Sequence, residues 1–360
     1  MDDLETPALL LHLDVVERNI TRMQDRANAL AVALRPHAKT HKCPELARRQ
    51  RAAGARGLTV ATLAEAEAFA AAGFDDLTWA FPIDRTHIPH ARRLAERCTL
   101  RVVTDDEATA VALLGSGLHV WLKVDCGNHR AGVDPASTYA LAVARTLARE
   151  RGLVFDGILS HSGHAYRTRD RQGAATVAEE ERSVMTWFAD LLRKEGIPVR
   201  GVSVGSTPAM TAAQRLDGIT EARPGNYVFY DRTMVLIGCC DPEDVGVTVL
   251  TTVVSHQPGA DHFVVDAGAL ALSKDTGPSH LDQAPAMGAV KGHPELAVAA
   301  LSQEHGLIRG SPEAIQGRFP VGERLEIIPN HSCLTVAHFD EYHVVRGERE
   351  IDRWPIARAR

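Results

Sequence analysis

Ala31-Val32-Ala33-Leu34-Arg35-Pro36-His37-Ala38-Lys39-Thr40-His41-Lys42 runs from four apolar residues straight into a cluster of lysine and histidine. A short apolar run closed by a polar segment fits a buried strand, which puts the cluster at the strand's carboxyl end. A lysine placed there loses water, which lowers its pKa and leaves the amine nucleophilic. Such an amine forms a Schiff base with an aldehyde. Taken alone, the same residues read more readily as a solvated basic loop, so the surrounding pattern has to decide.

Outward from this stretch, apolar runs recur at Leu58–Ala61, Leu77–Ala80, Leu100–Val103, Val120–Val124, Val154–Leu159, Val202–Val204 and Tyr227–Tyr230. Helical patterns such as Leu63–Ala72 and Glu179–Glu195 separate them. Strict alternation of strand and helix implies parallel strands with crossover helices, and about eight units over roughly 220 residues suit an α/β fold of the (β/α)8 TIM-like barrel type. A doubly wound open sheet is the alternative, but no GxGxxG follows an early strand. From about residue 240 the pattern changes. Val247–His256, His262–Val265, Arg324–Ile328 and Leu334–Val345 are rich in β-branched residues and joined by Gly, Pro and Asp turns. The expected domains are a barrel over 15–240 and an antiparallel β domain over 241–360, which residues 1–14 join. Thr276–His293 reads as a polar active-site loop.

Composition narrows the function. The 360 residues carry a formal charge of -6 with 45% hydrophobic residues, so no global basic field invites nucleic acid. No apolar stretch reaches membrane-spanning length, and the acidic start Met1-Asp2-Asp3 does not resemble a signal peptide. Six cysteines without a CxxC pair form no disulfide framework in a chain this long. The expectation is a reduced, cytoplasmic protein.

In a barrel of this kind the reacting groups follow the strands. The polar residues there are Lys39, Asp125 to Arg130, His161-Ser162-Gly163-His164-Ala165-Tyr166, Gly205-Ser206-Thr207 and Gly225-Asn226-Tyr227. Gly205, Ser206 and Thr207 offer amides and hydroxyls to a phosphate, and Gly225, Asn226 and Tyr227 complete that cradle. An ordinary turn with a helix cap explains Gly205 to Thr207 as well. Arg130 is placed to donate to a phenolate, or else to pair with Asp125. The set is the inventory of a phosphate-bearing aldehyde site. Farther on, His331-Ser332-Cys333 puts imidazole and thiolate on one face if the segment is extended. Such a pair suits Zn2+, with Mn2+ or Mg2+ as alternatives, and two ligands leave positions open.

These motifs together resemble the D-serine dehydratase and D-threonine aldolase family, whose barrel is similar to that of alanine racemase. The resemblance covers nearly the whole chain. It rests on Glu5-Thr6-Pro7, the Lys39 segment, Lys123 to Gly132, His161 to Tyr166, Gly205 to Pro208 and Arg223 to Tyr227. In the β region it continues through Asp266-Ala267-Gly268, Ser302 to Gly306 with His305, and Pro329 to Cys333. It implies a pyridoxal 5'-phosphate enzyme with a divalent metal beside the cofactor, Lys39 as the Schiff-base lysine, and His331 and Cys333 as metal ligands. It implies Arg130 near the ring oxygen, with Tyr166 and Tyr227 in segments touching ring and phosphate, and often a homodimer. Dehydratase-like members keep His-x-Cys, while aldolase members carry aspartate at the cysteine position. The implied activity is dehydration of a D-3-hydroxy amino acid such as D-serine, D-threonine or D-3-hydroxyaspartate to a 2-oxo acid and ammonia, with Lys39 as base. The alternative is retro-aldol cleavage to glycine and an aldehyde, with His164 as base. A racemase would need a second base and no metal, and a non-catalytic cofactor carrier has no use for the His331 and Cys333 pair.

Overall fold

The computed structural model describes residues 3–149, 151–282 and 286–358. The chain forms two compact units: Thr21–Gly225 makes one, and the segment through Ile20 joins Asn226–Arg358 in the other. Strand β1 (Ala8–His12) opens the chain, and the helix Leu13–Ala29 runs on from it into the first of these units.

The Thr21–Gly225 unit is built on eight strands: β2 (Ala33–Leu34), β3 (Leu58–Val60), β4 (Asp76–Pro82), β5 (Thr99–Thr104), β6 (His119–Lys123), β7 (Val154–Leu159), β8 (Gly201–Val204) and β9 (Glu221–Ala222). All neighbours are parallel, in the order β3 through β9 and then β2. A bridge between His37 and Thr59, with Thr59 N–H donating to Pro36 O at 2.8 Å, closes β2 onto β3. The result is the expected (β/α)8 barrel. Strands buried on both faces need apolar side chains throughout, which is why Leu58, Val60, Leu100, Val102, Val120 and Leu122 are all buried.

The barrel's interior also holds charge. Arg35, with 2% of its side chain exposed, donates through Nε to Glu221 and through Nη1 to Asp76, both at 2.6 Å. Arg101 bonds the same Asp76 and lies 3.0 Å from Asp156. Burial alone would raise the Asp76 carboxyl, but Arg35 and Arg101 hold it below its usual range. Buried charges survive only when paired in this way.

One strand expectation is corrected. Tyr227–Tyr230 is not the eighth barrel strand: Asn226–Val228 is a 3-10 turn and Tyr230 has φ +51. The eighth strand is β9, two residues long, paired to β2 through Ala33 with Glu221 and Leu34 with Ala222.

In the other unit β1 joins β10 (Val247–Ser255), β11 (His262–Val265), β12 (Gly288–Val290), β13 (Ala297–Leu301), β14 (Gly306–Arg309), β15 (Arg324–Pro329), β16 (Glu341–Arg346) and β17 (Arg349–Pro355). The order is β11-β14-β13-β12-β15-β10-β1-β16-β17, and β10 also pairs β11, closing six strands into a ring. Every pairing is antiparallel except β1 with β16. Leu4, Ala8, Leu10, Leu250 and Val345 form one of its core clusters. The expected strand Leu334–Val345 is instead the end of a helix, Ser332–Val336, followed by β16. Of the expected loop Thr276–His293, Gln283, Ala284 and Pro285 lie outside the described residues. All six cysteines are free, and among the described residues no helix is long and apolar enough to cross a membrane.

Candidate active site

Arg35 and Pro36 follow β2, and the chain then turns into a 3-10 helix, Ala38–Thr40, whose first N–H groups need an acceptor. His37 supplies it: its Nδ1 accepts the Lys39 N–H at 3.4 Å, so the neutral ring carries its proton on Nε2. Lys39 therefore stands one turn beyond the strand end and is half-buried. Lys42 has a different task, because its ammonium pairs with the buried carboxylate of Glu65.

Cations converge around Lys39. Lys123, at the end of β6, is 6% exposed; burial, with the charges of Arg223 and Arg130, drops its pKa to about 7. Arg223 follows β9, donates to Ser203 Oγ and Ser160 O, and is drawn down to about 10 by burial. His161, after β7, donates from Nδ1 to Gly205 O at 3.1 Å, which leaves Nε2 as an acceptor. Burial first, and then the charge of Lys39, keeps both His37 and His161 well below the ordinary imidazole pKa.

Arg130 is exposed and its charge is felt at Lys123 and His161. The Asp125 carboxylate accepts from His129 Nδ1 at 2.9 Å and from the Gly127 and His129 amides, so the structural pairing weighed for Arg130 is made by His129 instead. The loops after β6 and β7 pack together: a Cβ on Gly163 would lie 2.8 Å from Asn128, and one on Gly127 would lie 3.5 Å from His164 Nε2. His164 Nδ1 is buried with no hydrogen-bond partner among the described residues. Tyr166 is half-buried in the same 3-10 turn, Gly163–Arg167.

Gly205 has φ +109 and gives its amide to Glu181, while Ser206 Oγ caps the helix Thr207–Ala212 by accepting Ala209 N–H. Gly225 admits no side chain, since a Cβ there would meet His37 Cβ at 2.9 Å and Thr40 Oγ1 at 3.0 Å. Such a cradle, beside a cluster in which the charges of Lys39, Lys123, Arg130 and Arg223 act on His37, Lys123 and His161, fits a dianionic phosphate joined to an aromatic ring. Pyridoxal phosphate suits this donor set.

In the other unit Asn226 Nδ2 donates to Asp231 and to Ser332 Oγ, and Tyr227 is fully buried. His331 and Cys333 are brought together, but not along a strand. His331 is the extended N-cap residue of the helix Ser332–Val336, and Cys333 lies in its first turn. The N-terminus is held by Asp231, which accepts Ser332 N–H at 3.1 Å. Asp275 Oδ2 lies 3.3 Å from His331 Nδ1. Burial disfavours a charged ring there, yet hydrogen bonds with Asp275 and Cys333 push the His331 pKa up to about 11. Among the described residues no group of three or more His, Cys, Asp or Glu side chains could hold a metal. His331 and Cys333 fit an ion only as an open, two-residue site, with Asp275 fixing the ring. His305 is exposed in the turn between β13 and β14.

Sequence reasoning missed His37, Lys123, Glu181 and Arg223 as site groups, and Asp231 and Asp275 as supports. Lys123 and Arg223 lay inside quoted motifs; the carboxylates carried no sequence signal.

Comparison with known proteins matches residues 11–233 to the family described as "Alanine racemase, N-terminal domain" and residues 246–345 to the "Putative serine dehydratase domain". The chain is 41% identical to D-threo-3-hydroxyaspartate dehydratase of Delftia sp., over 98% of this chain and 97% of that one. The solved structure of that enzyme superposes with a TM-score of 0.94 at 40% identity, covering 99% of this chain and 98% of the other. D-serine dehydratase of Dictyostelium discoideum is 34% identical over 98% of this chain and 96% of its own. D-threonine aldolase of Arthrobacter sp. is 31% identical over 98% and 92%.

Proposed function

The chain belongs to the D-serine dehydratase and D-threonine aldolase family, and on that premise we propose that it is a pyridoxal 5'-phosphate-dependent lyase that dehydrates D-3-hydroxy amino acids. Elimination removes the Cα proton and the β-hydroxyl as water, and the resulting enamine hydrolyses to a 2-oxo acid and ammonia. Lys39 is the residue to anchor the cofactor and to take the Cα proton at Nζ. Arg130, Arg223 and Lys123 supply positive charge, and Ser206, Thr207 and Gly225 form the phosphate cradle, with Gly205 shaping the turn because its amide is held by Glu181, and Tyr166, Asn226 and Tyr227 in the flanking segments. The bound cofactor supplies an electron sink for charge developing at Cα.

His331 and Cys333 are the residues to hold a divalent metal, Zn2+ by donor chemistry. Such an ion supplies Lewis-acid stabilisation to a departing hydroxyl. Asp275 occupies His331 Nδ1, which would leave Nε2 as the atom to bind such an ion. What supports the dehydratase reading over the aldolase one is the cysteine at position 333, where aldolase members carry an aspartate. Aldolase cleavage is the second reading, favoured by the buried His164 Nδ1, which has no hydrogen-bond partner among the described residues, as a base for the β-hydroxyl. Incubating the metal-loaded holoenzyme with D-threonine separates them. The expected products are 2-oxobutanoate and ammonia, whereas glycine and acetaldehyde would assign the aldolase. A homodimer is part of the proposal, checked by sedimentation.

A further inference from the structure

Glu181 lies in the helix Arg171–Lys194, is 1% exposed, and forms part of none of the sequence motifs. A helix packed against a barrel needs only an apolar side chain at such a position, and a carboxylate buried there is costly unless fully bonded. Its two oxygens receive four donors from three consecutive strand ends. Oε1 accepts Ser160 Oγ at 2.7 Å, Gly205 N–H at 3.2 Å and Cys126 Sγ at 3.7 Å. Oε2 accepts Ser162 Oγ at 2.7 Å. Cys126 follows β6, Ser160 and Ser162 follow β7, and Gly205 follows β8.

The arrangement has one consequence for chemistry. His161 stands between two serines whose hydroxyls are both fixed to the same carboxylate. The carbonyl that accepts its Nδ1–H belongs to Gly205, whose N–H is fixed there too. Ser162 gives its proton to Glu181, so it accepts from Ser206 Oγ at 3.3 Å. The tautomer of His161, its direction beside Lys39 and the Gly205 turn therefore trace back to one side chain. Resting on the reading of Lys39 as the cofactor anchor, we propose that Glu181 is a positioning residue that locks His161 and the Gly205–Thr207 turn into the geometry that retains the cofactor. The Glu181 charge also acts at Lys123 and Arg223.

The test uses purified holoenzyme and Glu181→Gln. Glutamine keeps the volume but presents an NH2 to Ser162, so that the Ser162 and Ser206 hydroxyls must reverse. Far-UV circular dichroism is expected to stay unchanged, cofactor release on dilution to rise at least about tenfold, and the pH at which the visible band titrates to fall. Met185→Ala, a buried change on the same helix, is the control for lost stability alone. It is expected to lower the melting temperature with cofactor release unchanged. If Glu181→Gln does not fold, Ser160→Ala/Ser162→Ala keeps the carboxylate, removes two of its donors and is expected to speed release in the same direction. Release and band titration equal to wild type in the variant that folds, or equal to Met185→Ala at matched stability, would overturn the proposal. Wild-type protein that never acquires the visible band would instead overturn the cofactor reading on which it rests.

Discussion

Two lysines three residues apart can both be written into the same motif, and their neighbours separate them. Lys42 is bound to Glu65, whose other oxygen accepts Ala61 N–H at 2.7 Å. Removing Lys42 leaves that carboxylate buried and unpaired, so Lys42→Ala is expected to cost about 3 kcal/mol in a urea titration while cofactor binding persists. Lys39→Ala is expected to do the reverse: the visible absorbance of bound cofactor disappears and the urea midpoint of the cofactor-free chain stays put. A Lys39→Ala protein that keeps the band would show the anchor to be elsewhere. At the metal pair, Cys333→Ala should abolish metal content by elemental analysis and turnover with it, with the cofactor band retained. Undiminished turnover after full metal loss would remove the ion from the reaction.

At the scale of elements, the sequence was readable where burial and hydrogen bonding pointed the same way. Val154–Leu159 is an apolar run and is also a strand, because a parallel barrel covers both faces. Tyr227–Tyr230 is as apolar and as buried, but it forms no ladder, so hydrophobicity alone misplaced the eighth strand. The true strand contains Glu221, whose carboxylate is buried against Arg35, and a two-residue strand with a charge in it leaves no periodic trace. Lys39 and the His331 and Cys333 pair stood out as candidates through the motifs that contain them, since residue type alone left a basic loop or a chance pair as the readier reading. Glu181 did not stand out, since within Glu179-Glu180-Glu181-Arg182 it reads as a solvated helix face. The interior charges define a further expectation. Arg35→Met leaves Glu221 without its cation and Asp76 with Arg101 alone, and should cost about 3–5 kcal/mol. Adding Asp76→Asn and Glu221→Gln should recover much of that loss by denaturant titration, and a triple variant no more stable than the single one would rule out charge burial as the cause.

Taken over the whole molecule, buried bases set how stability responds to pH. His37 and His161 are held well below the usual imidazole range, and burial takes His41 to about 4. In the unfolded chain each takes up a proton near pH 6.5. Below that pH the unfolded state therefore binds more protons, and stability falls as pH falls, by up to about 1.4 kcal/mol per pH unit for each ring. Glu326, which His12 and Lys291 hold at about 2 against the opposing effect of burial, adds the same sign below its unfolded pKa. Lys123 extends the trend upward. Its folded pKa of about 7 lies beneath its unfolded one, so stability continues to rise with pH above 7. His331 acts oppositely, since its raised pKa contributes stability below its unfolded value that is lost as pH climbs toward 11. A bound metal displaces that proton and removes the opposition. The cofactor-free, metal-loaded protein is thus expected to gain stability steadily from pH 5 to pH 8, read as a rising urea midpoint. His37→Asn and His41→Asn should each flatten the acid limb, because each removes one proton that only the unfolded state can take up. A midpoint that is level from pH 5 to 6.5 in the parent protein would mean that these rings are protonated in the fold, and the neutral tautomers assigned to His37 and His161 beside Lys39 would fall with it.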